Sequence, residues 1–324
     1  MSKFLDLGSD IVVPGPLIAF TDSRPLVAPA PFMDAVDHWR FGTRAGDRTG
    51  LVSGSILRRG LAVTSIASNG SGYTSRPSAT FSGPGAAGLV GQTEVNGGLV
   101  YSVGYSGQPV NDDGAVNVVI SGGGGSGAAV TMGRGAEPAY AEYFATLGSG
   151  NKSGLVSSID DALVFSEAYL IRRTATSQRI GGTLKFAFAE RGYDVGGDGY
   201  AWSDNGARLL VQGRPDLDDA ITPSLAWGIG EWGVLIVSYT GSTRTVMAFG
   251  SDGVPVTASR SYAKNLADPQ RKRAIGGVHW DFGTENPPLD VSSYAYWDYA
   301  LSNAQMLNRA FDMLDYARDV GLIA

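Results

Sequence analysis

Between residues 61 and 131 the chain carries two copies of one strand pattern, and this duplication constrains its architecture more than any other feature. The first copy, LAVTSIASNGSGYTSRPSATFSGPGAAGLVGQTEV, starts at Leu61; the second, LVYSVGYSGQPVNDDGAVNVVISGGGGSGAAVTM, starts at Leu99. Each opens with a short apolar strand (Val63–Ile66, Val100–Val103). A turn, a second strand (Ser78–Phe81, Val116–Ile120), a glycine run and a third strand follow. The starts lie 38 residues apart and the glycine runs at Ser82 and Ser121 lie 39 apart, so one residue has been gained. A repeat of this period predicts stacked supersecondary units rather than an enzyme core. The segment has no histidine or cysteine and only three carboxylates, Glu94, Asp112 and Asp113, which points to architecture or contact surface.

Strand grammar continues on both sides. Trp39 and Phe41 alternate with Arg40, as a half-buried strand requires. Ala168–Arg172, Thr183–Ala189, Ala207–Val211, Val234–Tyr239 and Thr243–Phe249 are short apolar runs bounded by glycine and aspartate. Gly241-Ser242 fits a two-residue hairpin turn. Evenly spaced strands of this kind predict an antiparallel β-sandwich or jelly roll. One helix ends the chain. Ser302 and Gln305 form a capping box, and Leu307, Ala310, Phe311, Leu314 and Ala317 mark one apolar face. The predicted organisation is an extended, proline-dotted arm over 1–34, a sandwich over 35–60 and 137–324, and a glycine-rich β domain inserted over 61–136.

The bulk numbers agree. Among 324 residues there are 46 glycines, 43% hydrophobic residues, 17% charged residues and a net charge of −6, which suits short strands and tight turns and argues against disorder. The negative balance argues against nucleic acid as a partner, and Arg271-Lys272-Arg273 reads as a solvated turn. With no cysteine, disulfides, thiolate metal sites and cysteine nucleophiles are excluded. The N-terminus has no basic region followed by an apolar core, so no signal peptide is expected. No stretch approaches the ~20 apolar residues of a membrane span, so no membrane insertion is expected.

Two resemblances rest on particular residues. Gly70, Gly72, Tyr73, Pro77, Phe81, Gly83 and Gly85, within NGSGYTSRPSATFSGPGAAG, resemble the glycine-rich β repeats of tail-fibre and other virion proteins of tailed bacteriophages. The second copy departs, with GQPVNDDG in place of SGYTSRP, but keeps ISGGGGSGAA. Trp39, Phe41, Asp47, Thr49 and Gly50, paired with VSSYAYWDYALSNAQ from Val291 to Gln305, resemble the concanavalin-A-like lectin/laminin-G family. That resemblance implies a lectin-like sandwich in which Val291, Tyr294 and Tyr296 or Trp297 pack the sheet before the chain turns into a helix over the sandwich rim. Together they imply a virion protein assembled in the host cytoplasm and attached to other virion proteins or to host surface glycan. A homo-oligomer is expected, with a trimer the habit of fibres.

The catalytic inventory is thin. His38 and His279 are the only histidines, and no paired metal-ligand spacing occurs. The E-x-D-x-x-E spacing of sandwich glycosidases is absent, and Glu231 has no acidic partner at i+2 or i+4. Asp216, Asp218 and Asp219 read as a solvated turn. Neither a cofactor nor a metal is expected, although Asp194, Asp198, Asp204 and Asn205 would suit Ca²⁺ by ligand type. For glycan the candidates are Tyr193, Tyr200 and Trp202, whose rings could stack on sugar C–H faces, with Asp198, Asp204 and Asn205 binding hydroxyls. All are expected on one long loop. The alternative is that Tyr200 and Trp202 close the sandwich rim.

Overall fold

The computed structural model describes residues 32–42, 48–112, 116–147, 154–174, 178–183, 199–202, 209–212, 227–261, 272–276 and 288–324. Its strands begin with β1 (Asp37–Arg40), β2 (Arg58–Arg59), β3 (Leu61–Ser71), β4 (Ser78–Ser82), β5 (Val90–Asn96), β6 (Leu99–Ser106) and β7 (Asn117–Ser121). Next come β8 (Ser126–Arg134), β9 (Ala139–Tyr140), β10 (Ala145–Leu147), β11 (Leu155–Asp160), β12 (Phe165–Arg172), β13 (Gln178–Thr183) and β14 (Gly199–Trp202). The last are β15 (Leu209–Gln212), β16 (Trp232–Tyr239), β17 (Thr243–Phe249), β18 (Pro255–Ser261), β19 (Lys272–Ile275) and β20 (Leu289–Trp297), before helix α1 (Asn303–Asp319). The fold is an antiparallel β-sandwich with one C-terminal helix. Residues 1–31 of the arm expected over 1–34 lie outside the described residues, as does Leu184–Ala189 of the run expected from Thr183.

One sheet runs β18-β17-β16-β12-β20-β10-β9, with β1 also on β20; the other runs β15-β14-β13-β19-β11-β2. Trp39, Phe165, Tyr169, Leu235, Val237 and Tyr294 of the first sheet pack against Leu155 and Ile275 of the second and against Leu57, just before β2. The first sheet is also covered on its other face. Ala168, Leu170, Val234, Ile236, Ala295 and Trp297 point away from the sandwich interior and bury the helix residues Met306, Ala310, Met313, Leu314 and Ala317. Strands β16 and β20 are therefore buried at every position, and β12 at every position but its last. This corrects the half-buried reading of the Trp39 strand, since all four residues of β1 are buried.

The helix lies on the sheet face rather than on the rim. Its capping box is present, with Ser302 Oγ accepting from Gln305 N and Gln305 Oε1 accepting from Ser302 N. Its buried stripe shares Ala310, Leu314 and Ala317 with the expected one, but is completed by Met306, Met313 and Tyr316. Phe311 stays 44% exposed, and its ring meets Phe249 edge-on at 6.2 Å. In β20, a bulge at Ser292 lets Val291 and Tyr294 both face the sandwich interior. Tyr296 faces inward with them, and Trp297 faces the helix.

The duplicated segment is not a stack of two separate units. Strand β3 pairs with β8, β4 with β7 and β5 with β6, so each strand of the first copy finds its partner in the second. The pattern is that of a two-fold axis. Leu61↔Arg134 has its counterpart in Leu99↔Asn96, each residue moved by 38 positions, and Ser65↔Thr131 has its counterpart in Val103↔Thr93. Thr80 faces Val119, its own counterpart 39 positions on, so the axis passes through the β4–β7 pair. Tyr73, Ala79, Val100, Val103, Tyr105, Val130 and Met132 fill the interior between the copies.

Candidate functional site

Tyr193, Asp198, Asp204 and Asn205, the greater part of the expected glycan loop, lie outside the described residues, as does the calcium candidate Asp194. Tyr200 and Trp202 are not on a loop. They belong to β14, an inner strand of the six-stranded sheet, paired with β13 on one side and β15 on the other. Register pairs Tyr200 with Gly181, which in turn pairs with Ile275 of β19.

A group of charges with no exposed side-chain surface lies inside the sandwich. Arg273, read from the sequence as part of a solvated turn, is fully buried on β19, while Arg271 lies outside the described residues. The Arg273 guanidinium donates from Nε to Glu167 Oε1 at 2.9 Å, pairs with Glu167 Oε2 through its second arm, and reaches Asp161 Oδ1 at 3.1 Å. Its face lies 4.3 Å from the Phe165 ring centroid. Tyr294 Oη donates to Glu167 Oε1 at 2.7 Å; burial and the adjacent Glu167 push this phenol well above its ordinary range. A carboxylate, a tyrosine and an arginine in contact could do acid–base chemistry if substrate reached them. Here the side chains of Arg273, Glu167 and Asp161 have no exposed surface, so the group ties the two sheets together instead.

A second polar corner holds the first strand. Asp37 is buried, and its carboxylate accepts from the backbone N–H of His38, Val52, Ser53 and Ser55 and from the hydroxyls of Ser53 and Ser55. Burial alone would raise its pKa, but the two hydroxyls and the N–H donors outweigh it and hold the carboxyl below its usual range. Gly50 is required beside it, because a Cβ there would fall 1.9 Å from Asp37 Oδ2. His38 Nδ1 accepts from Phe32 N at 3.1 Å, which leaves the proton on Nε2 to donate to Ser293 Oγ at 2.8 Å. Both ring nitrogens are thus committed to the fold, and burial lowers the pKa to about 3. His279 lies outside the described residues, as do Asp216, Asp218 and Asp219. Glu231 is exposed, with Oε2 accepting from Gly228 N at 2.7 Å within its own turn. Among the described residues no group of three or more metal-ligating side chains is assembled.

The third group fixes the duplicated segment to the sandwich. Asp112 is buried between Arg48, at 2.7 Å, and Arg58, at 3.8 Å, and it accepts from Arg59 N at 2.8 Å. Glu137 lies 3.5 Å from Arg48 and 3.3 Å from Arg59. Gln108 Nε2 donates to the carbonyls of Ile56 and Val156 at 2.7 and 2.8 Å. Below this polar seam, Val156 and Ala274, on the outer face of the six-stranded sheet, join the interior of the glycine-rich unit. Nothing in the spacing of Arg58-Arg59 or Asp112 announced this seam, because its partners lie 53 residues apart.

No protein-family model matches the chain, and no curated protein matches it either. Solved structures give partial overlaps. A Trypanosoma rangeli sialidase aligns at 12% identity and a TM-score of 0.41, over 57% of this chain and 29% of that one. Peanut lectin aligns at 11% identity and 0.34, over 47% of this chain and 84% of that one. The receptor-binding domain of botulinum neurotoxin type G aligns at 9% identity and 0.36, over 52% of this chain and 42% of that one. This chain thus spans less than a third of the length of the sialidases it overlaps. Scores of this size establish no common topology.

Proposed function

We propose that this chain is a non-enzymatic attachment protein of a tailed-phage virion, a tail-fibre or receptor-binding component whose sandwich meets host surface glycan. The observation that carries the non-enzymatic part is how the buried carboxylates are used. Asp37, Asp112, Asp161, Glu167 and Asp290 are all buried, and each is held by arginine, serine, threonine or backbone N–H partners that fix the fold. A glycosidase instead needs an acid and a nucleophile about 5–5.5 Å apart and open to the sugar. The virion part of the reading rests on the wording around Gly70–Gly85, and the glycan part on Tyr200 and Trp202 with Tyr193, Asp198, Asp204 and Asn205. Other virion proteins are the remaining partners, joined during assembly in the host cytoplasm. Several copies in one particle would supply avidity to weak glycan contacts.

A second reading, a capsid or baseplate decoration without glycan contact, is favoured by one observation. The outer face of the six-stranded sheet at Val156 and Ala274 is already occupied by the glycine-rich unit. Binding of the full chain to arrayed host surface glycans, with Tyr200→Ala and Trp202→Ala variants alongside, separates the two. Binding reduced at least tenfold by either variant supports the glycan site. No binding, and no competition by free protein with particle adsorption, supports the decoration reading. Shortened polysaccharide chains after incubation would overturn the non-enzymatic reading.

A further inference from the structure

The strand pairings divide the chain at one point. Among the described residues, every strand before Gly97 pairs only with strands after Gly98: β1 with β20, β2 with β11, β3 with β8, β4 with β7 and β5 with β6. Between Phe32 and Asn96 no two of these strands pair with each other, and the only described bridge within the segment is the local one of Thr49 with Ile56. The portion after Gly98 is different. Strands β9, β10, β12, β16, β17, β18 and β20 pair among themselves, as do β11, β13, β14, β15 and β19. The N-terminal segment is therefore a set of strands laid one by one into a body whose two larger sheets pair without it, and it supplies the ladder partners of β6, β7 and β8.

The two portions meet at a two-residue turn. Asn96 pairs with Leu99, and Gly97 and Gly98 have φ of 59° and 79°, a conformation only glycine adopts cheaply at both positions. Nothing else on the continuous chain crosses this point. If the turn opens, the segment over residues 32–96 of one copy can occupy the same positions in another. It would then form the same ladders, the same Asp112 seam with Arg48, Arg58 and Arg59, and the same His38–Ser293 contact. The closed and exchanged forms differ only in the turn and in effective concentration, which is the condition for segment exchange.

We propose that residues 32–96 are a donor segment that can complete a second copy of this chain, so that copies assemble by reciprocal exchange across the Gly97-Gly98 turn. Deleting Gly97 and Gly98 from the full chain makes the tight hairpin impossible without removing any ladder residue. The expected product is a folded assembly of two or more copies by light scattering, against 33.8 kDa for one chain. Position is read by two single-cysteine versions of this deletion variant, Thr80→Cys in one and Val119→Cys in the other, refolded together. Thr80 and Val119 are directly paired and exposed, and the native chain has no cysteine. A disulfide joining the two chains supports exchange; a folded monomer, or an assembly without that disulfide, overturns it. A second measurement covers failure of the deletion variant to fold. A protease site placed between Gly97 and Gly98 in the full chain is cut after folding. The pieces should remain a one-to-one complex, and the N-terminal piece should transfer into an isotope-labelled cut copy on mixing. Separation of the pieces, or no transfer, contradicts the proposal.

Discussion

His38 shows how a single residue sets a pH limit on the fold. Burial holds its folded pKa near 3, against 6.5 for a free imidazole. Well above pH 6.5 it is neutral in both folded and unfolded chains and contributes no pH dependence. As pH falls from 6.5 towards 3, the unfolded chain takes up a proton that the folded chain refuses, so stability is lost across that window, by roughly 2–3 kcal/mol at pH 4.5. A thermal-denaturation series should show Tm level above pH 7 and declining below 6.5, with a flatter decline in His38→Gln. Arg273 makes the complementary point about buried charge. Replacing Glu167 by Gln leaves its guanidinium short of a counter-charge in the core, and a loss of about 3–5 kcal/mol in urea unfolding is expected. None of this was legible from Arg271-Lys272-Arg273, which looks solvated in one dimension. Glu167 and Asp161 stand 106 and 112 residues away, and only the facing of two sheets brings them to Arg273.

Local elements were more readable than their burial. The C-terminal helix and its capping box follow from Ser302 and Gln305 alone, because capping is a contact across three residues. Ser302→Ala should cost about 1 kcal/mol. The buried face was only half legible: Ala310, Leu314 and Ala317 hold, but the sheet beneath selects Met306, Met313 and Tyr316 on one flank over Phe311 on the other. Met313→Ala should accordingly destabilise by about 2–5 kcal/mol, while Phe311→Ala, at a half-exposed margin, costs clearly less. The alternating runs at Trp39 and Ala168–Arg172 fall in β1 and β12, yet β1, β12 and β20 are buried on both faces. Alternation cannot reveal a helix covering the second face. The Asp112 seam gives a prediction at this scale too. Asp112→Asn should loosen the junction by roughly 1–3 kcal/mol. Hydrogen exchange should then quicken in β3 and β8 while β12 and β16 keep their protection.

The whole molecule is layered: a helix, an eight-stranded sheet, a six-stranded sheet, and a glycine-rich unit seated on the last. The sequence carries the duplication plainly, since the copies are repeated text. It does not carry their relationship, because a strand pattern alone fits a hairpin within each copy as well as a ladder between copies. Long-range register decides, and the interlacing of the two copies is the claim on which both the seating of the unit and the exchange across Gly97-Gly98 depend. The direct measurement places Thr80→Cys and Val119→Cys together in the otherwise unaltered, cysteine-free chain. Interlaced copies predict rapid disulfide formation between these two cysteines under mild oxidation with native folding retained, within one chain in the closed form and between two chains in the exchanged form. A folded chain in which the two thiols stay free, while cysteines at Ile66 and Thr80 of the first copy cross-link instead, would contradict it.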